Sequence, residues 1–127
     1  MVSDRVGDFI IRLKNASAVK HASVEVPYSA HLEAIAKKLR ELGFVGEVEK
    51  QGRTLKVALA YDEKGTPRIR DVKRISKPGR RLYVSHREAH TVAGGTGARI
   101  ISTPKGILSD AEARRLRAGG EHMFEIW

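Results

Sequence analysis

Apolar residues recur at helical spacing at the start of this chain and change to strand-like alternation further on. Val6, Phe9, Ile10 and Leu13 share one face of a 3.6-residue period, which predicts an amphipathic helix over 4–17 with Ser3 as N-cap. Val24, Glu25 and Val26 predict a short strand that stops at Pro27. Ser29 stands where a helix cap belongs, ahead of Leu32, Ile35, Ala36, Leu39 and Leu42 on the inward face, and Gly43 ends that helix. The stretches 44–49 and 53–61 read as a hairpin about Gln51-Gly52. In its second strand Leu55, Val57, Leu59 and Tyr61 alternate with Lys56, Ala58 and Ala60.

The polar run Asp62-Glu63-Lys64-Gly65-Thr66-Pro67 reads as a turn and as the boundary between two subdomains, 1–63 and 64–127. Beyond it, Ile69, Val72 and Ile75 are interspersed with Arg68, Arg70, Lys73 and Arg74. Lys77-Pro78-Gly79-Arg80 then turns the chain into Arg81-Leu82-Tyr83-Val84. Ser85 with Glu88 has capping-box spacing and predicts a short helix ending at Gly94-Gly95. Residues 98–103 predict a strand and 110–117 a helix ended by Gly119-Gly120, and the closing residues 121–127 alternate as a strand does. The fold class is α+β: an N-terminal α-β-α-β-β subdomain and a C-terminal mixed β-sheet with short helices.

Composition narrows the class. At 127 residues, 41% of them hydrophobic, the chain buries roughly two-thirds of its unfolded surface and is not a disordered basic tail. It has no cysteine, hence neither a disulfide framework nor a thiolate metal site, which points to a reducing, cytoplasmic setting. No signal peptide is expected from Met1-Val2-Ser3-Asp4-Arg5, and no apolar run nears the ~20 residues that cross a membrane. The net charge of +9 is divided unevenly between the halves. Residues 1–63 hold ten Lys and Arg against nine Asp and Glu; residues 64–127 hold fourteen against six. Such asymmetry predicts an anionic partner contacted mainly by the second half.

The ten residues from Ile101 to Asp110 carry the most specific chemistry. An apolar strand ends in the hydroxyls of Ser102 and Thr103, Pro104 and Gly106 bracket Lys105 in a tight turn, and Ser109 with Glu112 forms a capping box. Hydroxyls, one cation, a glycine and a helix start suit a nucleic-acid backbone; an ordinary strand-to-helix loop is the alternative. The stretch from Arg68 to Arg81, which includes Lys77, Arg80 and Arg81, sets seven cations against Asp71 and is the second candidate for phosphate contact. Tyr83 either stacks on a base or packs in the core. Gly94-Gly95-Thr96-Gly97 lacks the third glycine of a dinucleotide loop and the Gly-Lys-Ser/Thr ending of a P-loop, and reads as a turn. His86 and His90 have metal-face spacing but no third ligand, and no serine lies in a nucleophile elbow. No metal site, cofactor or catalytic activity is expected. With aromatics at only 6%, shape and backbone recognition of structured RNA is favoured over stacking on splayed single strands.

These residues, taken in order, resemble the small ribosomal subunit protein eight family of bacterial type. The blocks are 8–15, Pro27-Tyr28-Ser29, Leu42-Gly43-Phe44, 75–83, Ile101-Ser102-Thr103-Pro104-Lys105-Gly106 and Gly119-Gly120-Glu121. The resemblance implies a structural component of the small ribosomal subunit that binds small-subunit ribosomal RNA directly in its central domain and supports assembly. It implies neighbouring small-subunit ribosomal proteins as further partners and, in bacteria, repression of its own messenger RNA. A general double-stranded nucleic-acid-binding module is the alternative. Carried over by position, the RNA-facing residues are Ser102, Thr103, Lys105 and Gly106, with Tyr83 and Gly120-Glu121 nearby. The chain departs from the family at Pro104, where a third hydroxyl is usual, at Ala30, where a basic residue is common, and at Thr96 and Arg99, where small or apolar residues are usual.

Overall fold

The computed structural model describes residues 4–87 and 96–127. Ser3, Glu88 of the expected capping box with the helix after it, His90, and Gly94-Gly95 of the glycine turn lie outside them. The chain forms two compact units, one of Arg5–Arg70 and the other of Asp71–Trp127 together with Asp4.

In the first unit, α1 (Arg5–Ala18) and α2 (Ala30–Glu41) bracket β1 (Ser23–Pro27), and β2 (Val45–Gln51) and β3 (Thr54–Leu59) follow as a hairpin. The three strands form an antiparallel sheet in the order β1-β3-β2. Ser29 caps α2 as expected, its hydroxyl accepting from the Leu32 N–H at 3.0 Å. The two helices bury Phe9, Ile10, Leu13, Ile35, Ala36 and Leu39, while β3 buries the alternating set Leu55, Val57 and Leu59. Each fully buried Val, Leu, Ile or Phe side chain among them contributes about 1.5–3 kcal/mol of apolar burial. The polar turn after β3 folds back onto this unit: Tyr61 bridges Pro67, and the Arg68 N–H donates to the Ala60 carbonyl at 3.0 Å. Ile69 is buried here as well. The stretch from Arg68 to Ser76 is therefore shared between the two units.

The second unit contains β4 (Val72–Arg74), β5 (Tyr83–Val84), β6 (Ala98–Thr103), β7 (Gly106–Ser109), α3 (Asp110–Leu116) and β8 (Gly120–Ile126). Its antiparallel sheet runs β4-β8-β6-β7, with β5 also paired to β8. Ile100, Phe124 and Ile126 are fully buried, and Ile101 packs with Ala113 and Val84. Asp4 joins this unit through Arg74, whose Nε and Nη2 each lie 3.1 Å from its carboxylate.

The structure departs from the sequence reading in three places. Residues 106–109 are a strand, so β6 and β7 make a hairpin where a strand-to-helix loop was expected. Arg117 ends α3 in the left-handed region (φ 52°), so Gly119-Gly120 do not terminate it. Charge counted by compact unit is even: residues 5–70 hold thirteen Lys and Arg against eight Asp and Glu, a net of +5, and the remaining residues eleven against seven, a net of +4. The uneven division is a property of the chain's halves and not of its folded units.

Candidate nucleic-acid interface

Cross-strand pairing gathers the RNA-facing candidates at one end of the second sheet. Glu121 on β8 pairs with Tyr83 on one side and Ser102 on the other, and Ser102 pairs in turn with Ile107. Residues directly opposite in a sheet share a face, so Tyr83, Glu121 and Ser102 form one row. Tyr83 is 70% exposed, which removes the core-packing alternative. The Ser102 hydroxyl has no hydrogen-bond partner among the described residues.

Thr103 behaves differently. Its hydroxyl donates to the Gly106 carbonyl at 2.9 Å and accepts from the Lys105 N–H at 3.0 Å. It is spent on the turn whose tip is Pro104-Lys105. Pro104 presets φ for the first tip position, and Gly106 takes φ 114°, a value open to glycine. The proline thus stiffens the tip where the family's hydroxyl is lost. The Lys105 ammonium does not project freely either: it donates to the Leu116 carbonyl at 3.1 Å and caps the end of α3.

Gly119 and Gly120 hold this end together by close approach. A Cβ on Gly120 would overlap the Ser102 carbonyl, and one on Gly119 would come within 2.6 Å of the Val84 carbonyl. Only glycine lets β8 enter between β5 and β6 here, which is what sets Ser102 beside Glu121.

The basic residues fall into two groups. Arg81 pairs with Glu121 at 2.9 Å, and Arg114 pairs with Asp110 at 3.1 Å. Arg74, 11% exposed at its side chain, is consumed by Asp4 and by the Met123 carbonyl at 2.7 Å. Lys77 and Arg80 instead stand exposed on a tight turn closed by their own backbone bonds at 3.0 and 2.9 Å. That turn is anchored by buried Ser76, whose hydroxyl accepts from the Leu82 N–H at 2.7 Å and donates to the Leu82 carbonyl at 3.0 Å. Arg115 and Arg117 are exposed too, and the Lys105–Leu116 bond brings their end of α3 to the loop tip. Sequence reasoning missed these two, although a helix ending Arg-Arg-Leu-Arg is itself a basic signal.

Beneath α3 lies a polar cluster. His122 is 4% exposed, and neither its Nε2 nor Arg99 Nε meets a hydrogen-bond partner among the described residues. Glu125 lies 3.9 Å from both side chains. Burial, reinforced by the Arg99 charge, holds the His122 imidazolium below its usual range against the opposing pull of Glu125 and Asp110. Among the described residues no group of three or more His, Cys, Asp or Glu is placed to hold a metal, and no helix is long and apolar enough to cross a membrane.

The arrangement offers the Ser102 hydroxyl, without a partner among the described residues, an exposed aromatic ring and exposed cations beside a tight turn. The family described as Ribosomal protein S8 matches residues 4–127. Small ribosomal subunit protein uS8 of Dictyoglomus thermophilum is 45% identical over 130 residues, covering 99% of this chain and 98% of that protein. The proteins of that name from Caldanaerobacter subterraneus subsp. tengcongensis and Streptococcus agalactiae serotype III are each 42% identical, covering 100% of this chain and 99% of their own length.

Proposed function

The chain belongs to the ribosomal protein S8 family of the small ribosomal subunit, a family of structural proteins and not of enzymes, and we propose that it binds small-subunit ribosomal RNA directly, in the RNA's central domain, and thereby supports subunit assembly. The observation that carries this reading is the row Tyr83–Glu121–Ser102, with a free hydroxyl and an exposed ring on a frame that Gly120 holds rigid. Lys77, Arg80, Arg115 and Arg117 neutralise phosphates around that row and set the protein's register on the duplex. The Ser102 hydroxyl and the Tyr83 ring then select an RNA shape that presents a 2′-hydroxyl or an unstacked base at the right place. A messenger RNA copying that shape would enter the same site, which is how the protein would repress its own message.

Titration of small-subunit ribosomal RNA against the purified protein at several salt concentrations tests this. If about four to six phosphates are neutralised, log affinity falls with log salt at a slope of about −3 to −5. Ser102→Ala with Tyr83→Ala should erode preference for the cognate RNA over random duplex while leaving that slope in place. Equal weakening toward both RNAs, or a slope near zero, contradicts the reading.

A further inference from the structure

Among the described residues β1 is an edge strand, with β3 its only neighbour in the sheet. Two backbone bonds bracket their ladder: Leu59 N–H to the Ala22 carbonyl at 2.9 Å and Tyr28 N–H to the Arg53 carbonyl at 2.8 Å. With the pairs Val24↔Val57 and Val26↔Leu55 they fix its parity. Residues 22, 24, 26 and 28 exchange hydrogen bonds with β3, while the peptide groups of Ser23, Glu25 and Pro27 point away from it. Pro27, lacking an N–H, occupies an outward position, where an edge strand tolerates proline. The outward groups of Ser23 and Glu25 open into a groove of about 460 Å³, walled by Ser23, Val24 and Glu25 of β1, by Arg12, Asn15 and Ala16 of α1, and by Val19 and His21 of the turn between them. Val19 is 63% exposed on that wall.

We propose that this groove is a docking slot for one extended peptide segment of a neighbouring protein, which adds a fourth strand beside β1 and rests an aliphatic side chain against Ala16 and Val19. The backbone groups of Ser23 and Glu25 supply the hydrogen bonds of such an addition, and the α1 wall supplies its side-chain pocket. A second copy of this chain does not fit. Two β1 edges pairing antiparallel would lie ~4.8 Å apart, and α1, packed over β1, would meet its own mate far inside the ~8–10 Å that two helices need. The Glu25 carboxylate on the groove, with Arg12 there paired to Asp8 at 3.0 Å, disfavours a phosphate backbone. The proposal draws on the ribosomal reading only for where the partner is found.

Hydrogen exchange of the full chain tests this in three states: free, bound to naked small-subunit ribosomal RNA, and reconstituted into the small subunit with total small-subunit protein. The Ser23 and Glu25 amides should exchange freely in the first two states and at least about a hundredfold more slowly in the third, while Val24 stays slow throughout. Glu25→Pro deletes an outward N–H alone; it should bind naked RNA as the parent chain does and lose the added protection at Ser23. Val19→Asp on the groove wall should give the same loss, and serves if the proline variant does not fold. Protection by RNA alone, protection in the concentrated free chain, or no protection in the reconstituted subunit each overturns the proposal. Slowed exchange at 102–106 in the RNA state reports on the RNA reading separately.

Discussion

Two tight turns in this chain share a plan and present opposite chemistry to solvent. In 62–67 the Asp62 carboxylate accepts the N–H groups of Lys64 and Thr66 at 2.8 and 2.9 Å, and Gly65 takes φ 80°. In 103–106 the Thr103 hydroxyl does the same work for Lys105, and Gly106 takes φ 114°. A carboxylate makes the stronger, charge-assisted bond, and the Thr66 N–H, then that of Lys64 and the charge of Arg68, hold the Asp62 carboxyl below its ordinary range. A hydroxyl makes the weaker bond but leaves no negative charge at the turn. The second turn also rests on Gly120, against which a Cβ has no room, whereas Gly65 faces nothing nearer than the Lys20 ammonium at 3.9 Å.

The sharpest way to break the comparison is a methyl group under each turn. Gly120→Ala should lower unfolding free energy by about 3 kcal/mol or more in urea titration and abolish RNA binding, against about 1 kcal/mol for Gly65→Ala. Equal losses would remove the close-approach argument. Next comes exchange of the turn-building atom. Thr103→Asp should keep the fold's melting point yet weaken RNA binding about tenfold at low salt, with a slope shallower by about one. Thr103→Val, which loses the bond without adding charge, should cost about 1 kcal/mol of stability. A smaller effect separates fold from function at Arg117. Arg117→Gly relieves a positive φ and should stabilise the chain by about 0.5–1 kcal/mol while reducing the salt slope by about one.

Acid should separate the two units with the smallest effect. Unfolded histidine titrates near 6.5 and His122 is held below that, so between the two values the unfolded chain binds the extra proton. Stability should fall as pH drops through and below about 6.5, with exchange rising first in β6 and β8. The Asp62 turn, whose carboxyl is held low, contributes above the unfolded carboxylate range and is lost only as pH falls through its lowered value. His122→Gln should flatten the first response and leave the second.

Much of the fold was legible because apolar spacing is a local signal: α1, α2, the β2–β3 hairpin and β6 follow from it, and the Ser109–Glu112 capping box marks the start of α3. β7 was not legible, since Ile107 and Leu108 alone stand between a turn and a helix cap, and its strand character comes from pairing with β6. The candidate site was legible as a set of residue types and opaque in its division of labour. Nothing in the sequence says that Thr103 is spent on the turn while the Ser102 hydroxyl has no partner among the described residues, or that Lys105 caps α3. These are tertiary facts, as is the loss of Arg74 to Asp4.

That last pair spans 70 residues and has a consequence for the order of synthesis. The unit of Arg5–Arg70 is contiguous, an insertion between Asp4 and Asp71, so it is complete on the nascent chain before Arg74 has been made. Domains close as their segments emerge, and ring closure over a long loop adds only slowly to the entropy lost. The second unit draws on both ends of the chain and closes last. A defect that traps the inserted unit would therefore deny the other its first strand pairings, though every residue of the interface is intact.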